Sequence, residues 1–121
     1  MLVAAVILML AAILIVGVNE AAARGRLGIN PLAGIRLGSL MYSERAWQEG
    51  HRAARVPMIF AGAVLFLSGL ALLVLHLPES TLSTTTIVGT VVAVALVIVG
   101  ALLAKRAADR VLVDVSDDWP R

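Results

Sequence analysis

The chain of 121 residues contains no cysteine, few aromatic residues and little charge. The absence of cysteine excludes disulfides, thiolate catalysis and cysteine zinc sites, and it leaves the cellular compartment undecided. Charged residues make up 15% of the chain, against about 25% in soluble domains, whereas hydrophobic residues make up 60%, against roughly 45–50%. These proportions exclude an ordinary soluble domain, so the distribution of the few charges carries most of the information.

Three long stretches contain no Asp, Glu, Lys or Arg. They are residues 1–19, 56–75 and 80–104. Because an α-helix rises about 1.5 Å per residue, roughly 20 apolar residues cross the hydrocarbon core of a bilayer, and the helix satisfies its own backbone polar groups. We therefore predict an all-α integral membrane protein with three transmembrane helices. The predicted bounds of these helices are 1–19, 56–77 and 87–104.

The first stretch is also similar to a secretory signal peptide, since three alanines from Ala21 to Ala23 follow it much as a cleavage site would. No basic residue precedes the stretch, however, and the first basic residues, Arg24 and Arg26, come after it. This order favours an uncleaved transmembrane helix whose N-terminus lies outside.

All ten basic residues are predicted to lie on one side of the membrane. Six fall in the long connection, residues 20–55, four in the C-terminal tail, residues 105–121, and none in the short outer turn, residues 78–86. The positive-inside rule therefore predicts an outside N-terminus and an inside C-terminus. We expect the basic residues to meet anionic headgroups of the lipid bilayer rather than nucleic acid.

The third predicted helix carries a face of small residues. At about 100° per residue, these residues fall within about 60° of one another. Such a face lets another helix approach closely, either within the chain or in a partner, because packing drives helix association in lipid. The four residues are Gly89, Ala93, Gly100 and Ala104.

The long inner connection is predicted to form a short amphipathic helix over residues 43–55, with Ser43 as its N-cap. Small and aromatic residues project on one side of this helix, and Glu, Gln and Arg residues project on the other. We expect the helix to lie along the inner headgroup layer beneath the three spans, with Trp47 at the depth where tryptophan is enriched.

The same connection carries a motif that is more specific than its composition. The motif comprises Asn30, Gly34, Ile35, Arg36, Trp47 and His51. With these spacings, residues 16–104 resemble the SdpI family of bacterial membrane proteins. The resemblance implies a place in the bacterial cytoplasmic membrane and a role in immunity, since the namesake protects a producing cell from a secreted membrane-active toxin. It also implies signalling, since the namesake holds a transcriptional repressor at the membrane while the toxin is present.

Arg36 and His51 are the motif residues with a candidate functional role. The planar guanidinium of Arg36 suits an anionic ligand or a lipid phosphate, but we expect it to pair with Glu44 or Glu49 and to fix the loop. His51 is a candidate pH sensor, because its unperturbed pKa is about 6.5. We expect a structural polar cluster at the mouth of the bundle instead. The expected cluster comprises Asn30, Arg36, Trp47 and His51.

The sequence predicts neither an enzyme nor a cofactor. Phosphate-binding loops, dinucleotide-binding glycines, paired metal-binding histidines and nucleophile elbows are absent, and no charged side chain within a predicted span marks an ion pathway. We therefore expect a protein that acts by binding a membrane-active peptide or a cytoplasmic regulator. Two alternatives stay open: a lipid-binding module, and a non-catalytic accessory subunit that packs its small-residue face against a larger bacterial membrane complex.

Overall fold

The computed structural model describes the backbone of residues 1–117 and the side chains of residues 1–114, and this part of the chain forms five helices. Three helices are long and apolar enough to cross a membrane. They are α1 (Leu2–Ala23), α4 (Arg55–Val74) and α5 (Glu79–Asp117). Two short helices, α2 (Gly38–Met41) and α3 (Glu44–Ala53), lie between α1 and α4. The predicted class, an all-α membrane protein with three spans and a short amphipathic helix, is confirmed.

α1 continues four residues beyond its predicted end at residue 19, because the polar residues there have partners. The carboxylate of Glu20 accepts from Arg24 at 2.9 Å and from two nitrogens of Arg55, on α4, each also at 2.9 Å. The helix then ends, and Gly25 follows it with a φ of +75°, a left-handed conformation that favours glycine at this position. The polar end of α1 is therefore part of the helix rather than the start of a loop.

The predicted second helix and outer turn differ from the structure at their boundaries. α4 ends at Val74 rather than at residue 77, and α5 already begins at Glu79, so the linker is shorter than the predicted turn over residues 78–86. Pro78 disfavours helical backbone in the residue before it, which separates the two helices. The hydroxyls of Thr84, Thr85 and Thr86 donate to carbonyl oxygens four residues earlier, at 2.9 to 3.0 Å, and so fit within the helix.

α5 runs without interruption for 39 residues, past its predicted end at residue 104. Residues 105–117 therefore extend the third helix instead of forming a separate tail, and residues 118–121 lie outside the described residues. Lys105 and Asp109 pair across one helical turn at 2.8 Å. Ala108 and Val111 are buried one and two turns after Ala104, so the apolar face of the helix continues beyond the first charges.

α4 lies at the centre of the bundle and packs against α1 on one side and α5 on the other. A Cβ atom at Gly69 of α4 would lie only 2.8 Å from the carbonyl oxygen of Ala5, so glycine allows the backbones of α1 and α4 to approach closely. In the described residues, no Cα atom of α1 lies within 8 Å of a Cα atom of α5. A groove therefore remains between α1 and α5, with α4 as its floor.

α3 crosses one end of the bundle, and the hydroxyl of Ser43 accepts from the N–H of Ala46 at 3.1 Å as an N-cap. α3 ends at Ala53 rather than at residue 55, because α4 begins at Arg55. Its small and aromatic face is buried against α1 and α5, and Arg45 and Arg52 lie on its exposed face. We call this end of the molecule, formed by residues 24–53, the basic end.

Candidate functional site

His51 is the centre of the hydrogen-bond network at the basic end. Its Nε2 accepts from the main-chain N–H of Ile35 at 2.9 Å, so Nδ1 carries the ring proton and donates to the carbonyl oxygen of Trp47 at 2.7 Å. Burial lowers the pKa of His51 below 6.5, although the bond to the Trp47 carbonyl acts in the opposite direction. The imidazole is therefore neutral and has a fixed tautomer.

Trp47 is fully buried beside His51, with 4.3 Å between the ring centroids. Its indole Nε1 donates to the carbonyl oxygen of Leu27 at 2.8 Å. The hydrogen bond and the packing place the indole inside the protein, so Trp47 does not present its ring to the surroundings as an exposed anchor would. Trp47 and His51 together hold the chain from Leu27 to Ile35 against α3.

Gly34 lies directly on these two rings. Its φ is +101°, which L side chains rarely adopt, and a Cβ atom there would lie 2.6 Å from Cη2 of Trp47 and 3.0 Å from Nε2 of His51. Glycine is thus required both by the backbone conformation and by the close approach. Ile35, the next residue, is half-buried and packs against the core that contains Trp47. Two parts of the motif that are distant in sequence form one contact.

Asn30 does not join that contact. Its Oδ1 accepts from the N–H groups of Leu32 and Ala33 at 3.0 and 2.8 Å, and its Nδ2 donates to the carbonyl oxygens of Gly28 and Ala33 at 2.9 and 3.1 Å. The amide therefore shapes the turn that precedes Gly34. The expected polar cluster of Asn30, Arg36, Trp47 and His51 is reduced to a contact between Trp47 and His51.

Arg36 is exposed and, among the described residues, forms no ion pair. The predicted pairing with Glu44 or Glu49 is wrong, because both glutamates have other contacts. Glu44 lies against Gly28 and accepts from the N–H of Ile29 at 3.4 Å. Glu49 pairs with Arg52, one turn further along α3, at 2.9 Å. Arg36 is thus a charged side chain on a loop whose preceding backbone is fixed.

The small-residue face of α5 is buried within the chain, against α4 and the basic end. Gly89 lies against Ser68 of α4, and a Cβ atom at Gly100 would lie 3.0 Å from the terminal methyl of Met58. Ala93 and Ala104 are buried in the same way. A partner helix would have to displace α4 to reach this face.

Asn19 is a functional candidate that the sequence analysis missed, although it is the only residue with a polar side chain in the first apolar stretch. It is 4% exposed, and its Nδ2 donates to the carbonyl oxygen of His51 at 3.0 Å. Its Oδ1 is buried without a hydrogen-bond partner. Asn19 lines a cavity of about 530 Å³ between α1 and α5, which Met58, His51 and the loop at residues 32–35 close.

The titratable groups at the basic end are few and mostly engaged or exposed. Within the described part of the chain, no three His, Asp or Glu side chains lie together as metal ligands. Apart from His51, whose ring nitrogens are both occupied, the titratable groups near the motif are exposed or in ion pairs. The basic end therefore presents a fixed loop at residues 34–35, the exposed guanidinium of Arg36 and, beside them, the apolar cavity that Asn19 lines.

These features define a multi-pass, all-α membrane protein with a structured polar end. The chain belongs to the SdpI/YfhL protein family, whose model matches residues 26–104. The matched region contains all six motif residues, whereas Asn19 precedes it. Comparisons with curated proteins and with solved structures gave no match.

Proposed function

We propose that this SdpI-family protein acts by binding, and that Arg36 is the residue that recognises the partner. The supporting observation is the contrast between a fixed backbone and a free side chain. Gly34 and Ile35 are held against the rings of Trp47 and His51, while Arg36 is exposed without an ion pair among the described residues. A guanidinium on an ordered loop loses less conformational freedom on binding, which favours affinity.

The chemistry of the side chain defines the kind of group that it recognises. A guanidinium donates paired hydrogen bonds to a carboxylate or phosphate, so the partner carries an exposed acidic group. Within the expectation from the family, that partner is a membrane-active peptide, against which the protein provides immunity, or a transcriptional regulator that it holds at the membrane.

The proposed orientation favours the regulator. An outside N-terminus and an inside C-terminus in the bacterial cytoplasmic membrane would put the basic end in the cytoplasm, and the distribution of the basic residues supports this orientation. A soluble regulator reaches Arg36 there directly. The alternative of an accessory subunit has less support, because α4 already covers the small-residue face of α5.

The proposal is tested with Arg36→Gln and the matched control Arg45→Gln, since Arg45 is also exposed and forms no ion pair among the described residues. Tagged chains are cross-linked in native membranes, and co-purified proteins are quantified by mass spectrometry. We expect Arg36→Gln to lower recovery of the partner at least about tenfold, because hydrogen bonds to charged groups contribute roughly 1.5–3 kcal/mol. Arg45→Gln retains the partner, and both variants insert normally.

A second readout separates immunity from regulation. A deletion strain that carries each variant is challenged with the peptide toxin, and expression of the regulated genes is measured in parallel. Recovery of the same partner in equal amount from the wild type and Arg36→Gln contradicts the proposal. A large membrane complex recovered equally with both variants supports the accessory subunit instead.

A further inference from the structure

The cavity between α1 and α5 has features of a ligand site that are independent of Arg36. It is open because the backbones of the two outer helices, on either side of α4, stay more than 8 Å apart between Cα atoms. Its walls are apolar, with Leu14 and Val18 from α1 and Val97 and Ala101 from α5, and its polar end is formed by Asn19 and His51. A volume of about 530 Å³ falls within the range of roughly 300–1,000 Å³ that is usual for small-molecule sites.

Asn19 determines which hydrogen-bonding group the site accepts. Its Nδ2 faces the carbonyl oxygen of His51, so the opposite orientation of the amide would place two oxygens together. Oδ1 is therefore an acceptor without a donor, and a buried acceptor in that state is unfavourable. Asn19 lines the cavity, and a ligand there whose N–H or O–H group reaches Oδ1 relieves this cost.

The size of the cavity favours a narrow occupant over a peptide helix. A helix with side chains is about 10–12 Å wide, so a volume of about 530 Å³ holds only about 5–7 Å of it, or about one turn. A single hydrocarbon chain is much narrower and follows the groove over a greater length. The volume therefore favours a lipid over a membrane-active peptide.

The depth of Asn19 agrees with a lipid that stands in the bilayer beside the protein. Asn19 precedes Glu20, whose carboxylate pairs with Arg24 and Arg55 and so marks the level of the headgroups. The apolar walls extend from Asn19 towards the middle of α1. The apolar groove therefore lies where the acyl chain of a phospholipid would be, and the amide of Asn19 lies near its headgroup.

We propose that the groove between α1 and α5 binds one phospholipid, with an acyl chain between the two helices and an N–H or O–H donor of the headgroup on Oδ1 of Asn19. The lipid completes the wall that is missing between α1 and α5. It also supplies the hydrogen bond that the protein leaves unmade.

The test compares phosphatidylethanolamine and phosphatidylcholine with identical acyl chains. Both headgroups are zwitterionic, but only the ethanolamine has N–H donors. The full chain is purified in mild detergent, titrated with each lipid, and the bound lipid per chain is counted by native mass spectrometry. We expect one site and a preference of about two- to tenfold for phosphatidylethanolamine, which is the effect of one hydrogen bond.

Two substitutions assign the binding to this groove. Ala101→Phe fills the cavity and is expected to abolish binding of both lipids, whereas Ala95→Phe, on an exposed part of α5, leaves it unchanged. Asn19→Leu removes the acceptor and is expected to bind the two lipids equally. A loss of stability alone would lower the binding of both lipids without making it equal. The ratio of bound phosphatidylethanolamine to bound phosphatidylcholine therefore measures the contribution of the hydrogen bond.

Several outcomes overturn the proposal. Equal retention of the two lipids by the wild type removes the role of Asn19. Unchanged binding in Ala101→Phe shows that the lipid lies elsewhere, and a peptide in the groove replaces the lipid as occupant. Because none of these measurements involves Arg36, they succeed or fail independently of the proposed recognition of a partner.

Discussion

The main-chain N–H of Ile35 donates to Nε2 of His51 at 2.9 Å across sixteen residues of sequence. This bond requires an imidazole without a proton on Nε2, so it exists only while His51 is neutral. The contact that holds the loop before Arg36 is consequently sensitive to protonation.

The first prediction concerns the stability of the fold at acidic pH. Burial lowers the pKa of His51 in the folded protein below its unfolded value, so the unfolded state binds a proton first as the pH falls. The stabilisation is therefore fully present above about pH 6.5 and is lost as the pH falls towards the folded pKa, by at most about 1.4 kcal/mol per pH unit. Thermal unfolding of the detergent-solubilised protein between about pH 8 and pH 5 measures this loss.

His51→Gln is the control for this pH dependence. The glutamine side chain can accept from the N–H of Ile35 but does not titrate, so its unfolding temperature is expected to vary less over the same pH range. An equal pH dependence in the wild type and His51→Gln would assign the effect to other groups.

The second prediction concerns the glycine on the two rings. Gly34→Ala is expected to destabilise the protein by about 1–3 kcal/mol, because the left-handed φ and the approach to Trp47 both oppose a Cβ atom. Gly38→Ala is the matched control, since nothing lies within 4 Å of its Cβ position and its φ is not in the left-handed region. Thermal unfolding compares the two, and equal stability of both variants contradicts the role of Gly34.

The third prediction concerns the small-residue face. Gly100→Leu is expected to destabilise the chain itself by about 1–3 kcal/mol, because the larger side chain meets Met58 and Ala54. Gly17→Leu, on an exposed part of α1 with nothing within 4 Å, is expected to be tolerated. If Gly100→Leu leaves the unfolding temperature unchanged but releases a membrane partner, the face serves a partner after all.

The fourth prediction concerns orientation. Because the chain has no cysteine, single cysteines at Gly38 and Ser80, which are both exposed, give unambiguous labelling sites. A membrane-impermeant thiol reagent applied to intact cells is expected to label Ser80→Cys and to spare Gly38→Cys, as the distribution of basic residues requires. The reverse pattern would show that the basic end lies outside, where a cytoplasmic regulator cannot reach it.

The three spans could be predicted because the length of an uncharged stretch decides whether a helix crosses a bilayer. Their ends could not, because they depend on partners that are distant in sequence. Glu20 stays within α1 through its pair with Arg55, and α5 continues past Lys105 because Ala108 and Val111 remain buried. A charge in the sequence indicates a boundary only when no such partner exists.

The contacts of the motif's side chains also depend on residues that are distant in sequence, so they could not all be predicted. The motif contains Gly34, Trp47 and His51, which the fold brings together, but Gly34 was not part of the predicted polar cluster. The spacing did not reveal that the amide of Asn30 bonds within its own turn, or that Arg36 forms no ion pair in the part of the chain that the structure describes. Hydrogen-bond partners depend on the direction of each side chain in space, which sequence spacing does not specify.

At about 1.5 Å per residue, the 39 residues of α5 extend for about 58 Å, nearly twice the roughly 30 Å of the hydrocarbon core. The portion that projects beyond the core is the portion against which α3 packs, through Ala104, Ala108 and Val111. A thinner bilayer increases the tilt of a long helix, and the projecting portion moves with it. Because α3 is packed on α5, any change in the tilt of α5 is therefore carried directly to the basic end.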